Sequence, residues 1–446
     1  MSFTRTLRAV GGAVVAGALL FGTAPVASAN QIRKDQWPLT AFGAEDIWKV
    51  STGKGVTVAV IDDPVDGTHP DLKGNVLPGR NLFGGGGTAD EAYERREHGT
   101  SMASLIAGHG HGPGGGEGVK GLAPDAKILP VGIDLGDSEK HDNFGDGTKS
   151  YAEALRYAVD HGAKIVNMSF EVGPNPSPVE QAAVDYARKK DVLVVAASGN
   201  SHSGLVRNPA SVPGVLAVGA VDVDLKVWKY SNYGPHIKLL APGVHIRSAG
   251  VEDPYRLANG TSDAAAYVSA AAALLRAKFP DLTAGQIANR LVKSAVVPDD
   301  KKGAKLPDPH YGYGTIRPYT ALTKDIPAGS KNGPLPALDG GSSPGSAKDA
   351  EQGAKIDSDK GMSTGALVGI FAGGAVVLAI VLGIVIVAVR KKNRRNGPPS
   401  GGPGGYGGPG GSGGFVPHPP NPNSYQQQPS GPGSYPSAPP TQPPGR

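Results

Sequence analysis

The chain has 446 residues, no cysteine and a formal net charge of +5. Without cysteine, neither a disulfide framework nor a catalytic thiol is available. The net charge is small for this length, and the basic cluster at 390–395 alone supplies as much, so the composition does not indicate nucleic-acid binding.

The first 29 residues have the pattern of a secretory signal peptide. Arg5 and Arg8 precede an apolar stretch over residues 9–21, and the Ala-Ser-Ala sequence at 27–29 forms a small-residue cleavage site. We therefore expect residues 1–29 to be removed when the protein is exported.

Residues 30–326 are predicted to form one α/β domain. Apolar β-branched runs predict buried strands at 56–62, 164–168, 192–196 and 215–220. Apolar positions at helical spacing predict helices at 151–161, 178–190, 264–277 and 283–295. Thr283, with Gln286 three residues later, predicts a capping box. Strands that alternate with helices indicate a mostly parallel sheet covered on both faces, with ligands at the carboxyl ends of its strands.

Ser262 lies at the start of the Ala-rich predicted helix, directly after the Asn-Gly-Thr turn at 259–261. Backbone amides and the helix dipole at such a position favour a developing negative charge. Ser262 is therefore predicted to be the nucleophile of an acyl-transfer enzyme.

Two further segments supply the partners that a serine nucleophile needs. Asp62 ends the first predicted strand, and His98 begins a turn into a small-residue helix. The chain order Asp, His, Ser is the order found in subtilisin. In this chemistry Ser262 attacks the peptide carbonyl, His98 takes its proton and returns it to the leaving amine, and Asp62 orients and stabilises the imidazolium.

Asn200 is the predicted oxyanion donor. It follows a strand that runs into a Ser-Gly-Asn turn. Its side-chain amide and the backbone N–H of Ser262 would together bind the tetrahedral oxyanion. Loss of one such donor typically costs about 2.7–4 kcal/mol of transition-state stabilisation.

These four segments, in this order, resemble the subtilisin-like serine proteases, or subtilases. The resemblance runs from about residue 52 to residue 322 and includes further short motifs at 118–124, 241–243 and 312–314. It implies the three-layer subtilisin-like α/β fold with a mostly parallel sheet. It also implies that Ser169 lies on the strand that lines the substrate cleft.

Within this family the chain is similar to the mycosins, membrane-anchored subtilases associated with type VII secretion in actinobacteria. The similarity rests on residues 37–48, which lead directly into the first strand, on Tyr-Val-Ser at 267–269, and on a stalk followed by one C-terminal span. About twenty residues separate the predicted cleavage site from the catalytic domain, too few for the folding propeptide of many secreted subtilases.

The C-terminal part of the chain is predicted to contain a stalk, one transmembrane helix and a tail. Residues 327–364 are rich in Gly, Ser, Pro and Asp, which predicts a flexible stalk. Residues 365–389 carry no charge and are long enough to cross a bilayer. The basic cluster after them places the disordered Gly/Pro-rich tail, 390–446, in the cytoplasm and the catalytic domain outside the cell membrane.

The chain departs from the family pattern at several positions close to the predicted site. They are Asp63-Pro64 in place of Ser/Thr-Gly, Glu171-Val172 in place of Gly-Gly, Asp263 in place of Met or Phe, and Ala266 in place of Pro. A carboxylate at Asp263 is expected to raise the pKa of His98 and to shift the acid limb of the pH profile upward.

We expect no cofactor and no catalytic metal. The resemblance offers Asp71, in its His-Pro-Asp-Leu segment, as a ligand for structural calcium, and the alternative is an ordinary turn carboxylate.

The expected partners are protein or peptide substrates, the membrane and the type VII secretion machinery, with no nucleic acid. Two alternatives stay open. One is a catalytically weak subtilase that acts as a scaffold in a secretion complex. The departures at Asp63, Pro64, Glu171 and Asp263 favour it. The other is a general envelope protease without a secretion partner.

Overall fold

The computed structural model describes residues 31–82, 87–91, 97–135, 147–173 and 175–338. All of them belong to the first of the two units into which the chain divides, residues 1–352. The predicted signal peptide, the membrane span at 365–389 and the tail lie outside the described residues. Among the helices that are described, none combines the length and the apolar character needed to span a bilayer.

A seven-stranded parallel sheet forms the centre of the described domain, in the order β2-β5-β1-β6-β7-β8-β9. Its strands are β1 (Thr57–Asp62), β2 (Arg80–Asn81), β5 (Lys127–Gly132), β6 (Ile165–Met168), β7 (Leu193–Ala197), β8 (Leu216–Val221) and β9 (Ile237–Pro242). Two antiparallel hairpins accompany it, β3 (His109–His111) with β4 (Glu117–Lys120) and β10 (Ile246–Ala249) with β11 (Tyr255–Ala258). The mostly parallel sheet predicted from the sequence is confirmed.

Helices cover both faces of this sheet. They are α1 (Trp37–Phe42), α2 (Ala44–Val50), α3 (His98–Ala107), α4 (Gly147–Asp160), α5 (Pro178–Lys189), α6 (Thr261–Lys278), α7 (Ala284–Ser294) and α8 (Pro318–Thr323). One hydrophobic core, which contains Val58 and Val60, packs under α3, α6 and α7. The other, which contains Ala59 and Ile61, packs under α4 and α5. Alternate side chains of β1 therefore pack into the two cores on opposite faces of the sheet, as expected for a strand covered on both faces.

Helix α6 is buried along almost its whole length, from Thr261 to Arg276. It contacts β6, β7, β8 and β9 on one side and α3 and α7 on others. A helix that is apolar all round belongs in the interior of a protein, and its many alanines let the neighbouring backbones approach closely. The burial fixes the position of Ser262 at the start of this helix.

The C-terminal end of the domain lies later in the chain than residue 326, the predicted boundary. Residues 327–338 pack on α7: Asn289 Nδ2 donates to the carbonyl of Pro327 at 3.1 Å, and Thr283 Oγ1 donates to that of Lys331 at 2.6 Å. Gly285 and Gly333 approach so closely that a Cβ on Gly333 would lie 1.9 Å from the Gly285 carbonyl oxygen. The Gly- and Pro-rich composition that predicted a stalk here instead permits this close backbone packing, and only residues 339–364 of the predicted stalk lie outside the described structure.

Candidate active site

Asp62 and His98 form a hydrogen-bonded pair at the carboxyl end of β1. Asp62 is fully buried at the end of β1, and His98 is the first residue of α3. His98 Nδ1 lies 2.8 Å from Asp62 Oδ1 and 3.0 Å from Oδ2. Because a carboxylate only accepts hydrogen bonds, Nδ1 carries the proton and Nε2 of neutral His98 is left with its lone pair. This is the tautomer that a general base needs.

The environment of His98 sets its basicity. Burial acts to lower the pKa of His98, but the charge and the hydrogen bond of Asp62 outweigh burial, so that the pKa lies above its ordinary value of 6.5. Arg256 opposes this increase and Asp63 adds to it. Asp62 therefore makes the main contribution that raises this pKa. Asp263 also interacts electrostatically with His98, and the expectation that it shifts the acid limb upward stays a prediction.

Ser262 is the second residue of α6, and its side chain is held by a reciprocal pair of hydrogen bonds with Ser169. Ser262 Oγ donates to the carbonyl oxygen of Ser169 at 2.9 Å, and Ser169 Oγ donates to the carbonyl oxygen of Ser262 at 3.1 Å. No hydrogen bond between Ser262 Oγ and His98 is present among these described residues. Helices α3 and α6 pack against each other, and His98 interacts electrostatically with Asp263, the residue after the serine. The structure thus brings His98 to the start of α6.

Asn200 lies beside Ser262, with its amide orientation fixed. Thr261 donates to Asn200 Oδ1 from its backbone N–H, at 2.9 Å, and from its hydroxyl, at 2.8 Å. Because the Thr261 N–H can only donate, it requires the accepting Oδ1 at this position and leaves Nδ2 on the opposite side. Asn200 is exposed, so Nδ2 is available to a ligand. This is the geometry expected of an oxyanion donor tied to the helix that carries the nucleophile.

Asp263 is buried at the start of α6, with 3% of its surface exposed, and its Oδ1 has no hydrogen-bond partner. Burial raises the pKa of Asp263 to about 6, although His98, Arg256 and its own backbone N–H act to lower it. Tyr267, one turn further along the helix, also has a buried hydroxyl without a partner. The residue beside the candidate nucleophile is therefore a carboxyl that resists ionisation.

Asp71 lies outside this site, in a buried turn. It accepts hydrogen bonds from His111 Nδ1 at 2.6 Å and from the Val119 N–H at 2.7 Å. Within the described part of the chain, no group of three His, Asp or Glu side chains is placed to hold a metal ion. These contacts favour the turn-carboxylate alternative, and a calcium role for Asp71 stays a prediction.

A buried polar network behind Ser262 was not anticipated from the sequence. Asn167 Nδ2 donates to Ser169 Oγ at 2.8 Å, and Ser269 Oγ donates to Asn167 Oδ1 at 3.0 Å. Asn167, Ser169 and Ser269 are all buried. The signal that points to this network is an asparagine inside β6, where the neighbouring residues are apolar.

A serine on a helix N-terminus next to an Asp–His pair is suited to acyl transfer, and its setting here, an α/β domain with a parallel sheet, is that of the subtilisin class. The chain belongs to the subtilase family, whose sequence model matches residues 53–314.

Comparisons with individual proteins agree with this assignment and include mycosins. The thermophilic serine proteinase of Bacillus sp. (strain AK1) is 35% identical over 281 residues, which cover 62% of this chain and 64% of that relative. Mycosin-1 of Mycobacterium tuberculosis is 34% identical over 357 residues, which cover 67% of this chain and 75% of the relative. Solved structures of MycP1 from Mycobacterium smegmatis and of MycP1 from the ESX-1 type VII secretion system both have a TM-score of 0.56 at 29% identity, covering 67% of this chain and 87% and 88% of theirs. The chain thus spans slightly less than two thirds of the first of these relatives, and the predicted resemblance to subtilases and mycosins is confirmed.

Proposed function

We propose that this chain is a serine endopeptidase that hydrolyses peptide bonds through Asp62, His98 and Ser262, with Asn200 as an oxyanion donor. The observation that carries this proposal is the 2.8 Å hydrogen bond between the buried carboxylate of Asp62 and His98 Nδ1, next to the helix whose second residue is Ser262. Family membership supports the same assignment.

The proposed reaction begins when Ser262 Oγ exchanges its acceptor, the Ser169 carbonyl, for His98 Nε2. His98 takes the hydroxyl proton as Oγ forms a bond to the substrate carbonyl carbon, and Asp62 stabilises the imidazolium. Asn200 Nδ2 and the Ser262 backbone N–H bind the oxyanion of the tetrahedral intermediate. His98 then protonates the leaving amine, the C–N bond breaks, and a water molecule hydrolyses the acyl-enzyme by the same steps in reverse order.

The substrate is proposed to be an extended segment of a protein or peptide. Ser169 lies at the end of β6, one residue beyond Met168, and its hydroxyl is already engaged with the backbone of Ser262. A peptide aligned along the chain that follows Ser169 would therefore place its scissile carbonyl near the nucleophile.

A role in type VII secretion, at the outer face of the cell membrane, forms the finer part of the proposal. It is supported by the similarity to Mycosin-1 and to MycP1 structures, and by the signal peptide, apolar span and basic cluster in the sequence. In this arrangement a single span at 365–389 anchors the catalytic domain, and the tail at 390–446 lies in the cytoplasm.

A fluorophosphonate probe tests the catalytic proposal, because such probes react only with an activated serine. We expect covalent labelling of the wild-type protein and none of Ser262→Ala, with identical far-UV circular dichroism for both. Absence of labelling in the folded wild type would contradict the proposal.

The second candidate function is a scaffold of low activity within a secretion complex. It is favoured by the Ser262 hydroxyl, which donates to Ser169 rather than to His98, and by the buried carboxyl of Asp263 beside it. A folded protein that fails to label, yet is recovered with other membrane proteins when the native complex is purified, would support this alternative.

A further inference from the structure

Glu171, one of the departures from the family pattern, lies against the oxyanion turn. The turn at 199–203 contains Asn200, the proposed oxyanion donor. A Cβ added to Gly199 would lie 2.2 Å from Glu171 Oε1 and 2.2 Å from Asn232 Nδ2. The carboxylate and the amide therefore both lie against the Cα of the residue that precedes Asn200. Because Gly199 also has a φ of +103°, this position accepts only glycine.

Asn232 holds the oxyanion turn through its side-chain oxygen and its backbone N–H. Its Oδ1 accepts from the backbone N–H groups of Ser201, at 3.0 Å, and Ser203, at 2.9 Å. Its own backbone N–H donates to the carbonyl of Gly199 at 2.9 Å. Asn232 is buried, and its bonds to the two turn amides are partly buried. Asn200 therefore lies between Gly199 and Ser201, and both of these neighbours are hydrogen-bonded to Asn232.

Glu171 stabilises the orientation of the Asn232 amide that the N–H groups of Ser201 and Ser203 also require. Asn232 Nδ2 donates to Glu171 Oε1 at 3.3 Å. A carboxylate only accepts, so it selects the Asn232 orientation in which Nδ2 faces Glu171 and Oδ1 faces the amides of the turn. The opposite orientation would place an NH₂ group against the N–H groups of Ser201 and Ser203.

The segment that carries Glu171 is itself anchored. The Val172 N–H donates to the carbonyl of Asn208 at 2.8 Å, and the Asn208 N–H donates to that of Gly173 at 3.2 Å. Asn208 Nδ2 also donates to the fully buried Glu180 at 2.8 Å. Glu171 thus connects a fixed edge of the cleft to the oxyanion turn.

We propose that Glu171 is a positioning residue that, through Asn232, holds the 199–203 turn and so aims Asn200 Nδ2 at the oxyanion. This inference rests on the proposed peptidase function, in which Asn200 stabilises the transition state. Glu171 acts on the reaction only through the turn, and its expected effect is on kcat rather than on substrate binding, because the oxyanion exists only in the transition state.

The kinetic test compares Glu171→Ala, Glu171→Gln and the exposed control Glu153→Ala in the full-length protein. We expect Glu171→Ala to lower kcat by about 10-fold or more with KM changed less than about twofold, since small displacements of a catalytic group have large effects on rate. Glu171→Gln retains an oxygen that can accept from Asn232 and should recover most of the activity. In an Asn200→Asp background, which lacks the donor, Glu171→Ala should have almost no further effect.

A second measurement separates failure of this inference from failure of the proposed function. Hydrogen exchange of the amides of Ser201 and Ser203 does not depend on catalysis, and we expect it to accelerate in Glu171→Ala and Asn232→Ala but not in Glu153→Ala. Unchanged exchange would overturn the inference, whether or not the protein is active. A loss of activity in Glu171→Ala that is confined to substrates with a basic residue before the scissile bond, with KM raised, would also overturn it and identify Glu171 as a direct substrate contact.

Discussion

The hydroxyl of Ser262 donates to the carbonyl oxygen of Ser169 at 2.9 Å, while the Ser169 hydroxyl donates back to the carbonyl of Ser262 at 3.1 Å. This exchange ties the start of α6 to the end of β6, across 93 residues of chain. It fixes the backbone of the candidate nucleophile at the start of the helix.

The buried polar network of Asn167, Ser169 and Ser269 is predicted to contribute to the stability of the fold. Asn167→Ala removes one hydrogen bond from each of the buried Ser169 and Ser269 hydroxyls, which keep their bonds to the carbonyls of Ser262 and Ala265. Each hydrogen bond contributes about 0.5–1.5 kcal/mol, so we expect the free energy of unfolding to fall by about 1–3 kcal/mol. Urea denaturation followed by circular dichroism measures this, with the exposed Glu153→Ala as the control. Equal midpoints for the two variants would show that the network does not contribute.

The Asp62–His98 pair predicts the pH range in which activity is lost on the acid side. His98 must be neutral to act as a base, and its pKa lies above 6.5 because the effect of Asp62 exceeds that of burial. Activity should therefore fall as the pH decreases through a value above 6.5, as seen in kcat/KM profiles with a peptide substrate. Asp62→Asn should reduce kcat by about 10⁴-fold, since the imidazole loses the tautomer that accepts the serine proton. An acid limb below pH 6 would contradict the raised pKa.

The Asp62–His98 pair also stabilises the fold, and this contribution decreases as the pH rises, whereas the predicted activity increases. A histidine whose pKa is raised in the folded state stabilises the fold fully below its unfolded pKa, and this contribution is lost as the pH rises through the folded value. The conditions that stabilise the Asp62–His98 ion pair are thus those in which the proposed base is protonated and inactive.

The raised pKa of Asp263 predicts that the free energy of unfolding depends on pH. Its folded pKa of about 6 exceeds the unfolded value, so the folded state holds a proton that the unfolded state releases, and stability falls as the pH rises between about 4 and 6. Asp263→Asn removes this ionisation and should raise the free energy of unfolding by roughly 1–3 kcal/mol at pH 8, with little change at pH 4. Urea unfolding at both pH values, with the exposed Asp300→Asn as a control, measures it. A gain that is equal at the two pH values would indicate packing rather than charge.

Asn200→Asp removes the donor of the oxyanion residue and places a carboxylate beside the oxyanion. The variant keeps an oxygen that can accept from Thr261, as Oδ1 does at 2.9 and 2.8 Å, but it lacks Nδ2. We expect kcat to fall by about 10²–10³-fold with the thermal midpoint almost unchanged. Steady-state kinetics and differential scanning calorimetry provide the two readouts. A variant with wild-type kcat would exclude Asn200 from oxyanion binding.

Arg290 holds the C-terminal part of the domain. The buried guanidinium donates to the carbonyls of Ala321, Lys324 and Ile326 at 2.7–3.0 Å and lies 4.2 Å from the centre of the Phe279 ring. Arg290→Met leaves these carbonyls without a donor, so the free energy of unfolding should decrease by about 2–4 kcal/mol. Lys293→Met, on the exposed side of the same helix, is the matched control. Comparable urea midpoints for the two variants would refute a structural role for Arg290.

Local patterns were sufficient to predict much of the domain. The strand ending at Asp62, the helix beginning at His98 and the buried helix after Ser262 were all identified, because each has a periodicity or turn signal within a few residues. The Thr283–Gln286 capping box is likewise present, with Gln286 N–H donating to Thr283 Oγ1 at 3.2 Å. Family membership follows from the same motifs.

The sequence by itself therefore determined the class of fold and the family, and it supplied the residues that we propose for a serine peptidase site. Tertiary structure decided which side chains meet and which are buried. It set the reciprocal hydrogen bonds of Ser169 and Ser262, the hydrogen bond from the Asn232 amide to Glu171, and the burial that raises the pKa of Asp263. It also extended the domain to residue 338 through the approach of Gly333 to Gly285. These features join segments that are tens of residues apart, and their energies depend on burial and on the direction of individual hydrogen bonds, which no local pattern records.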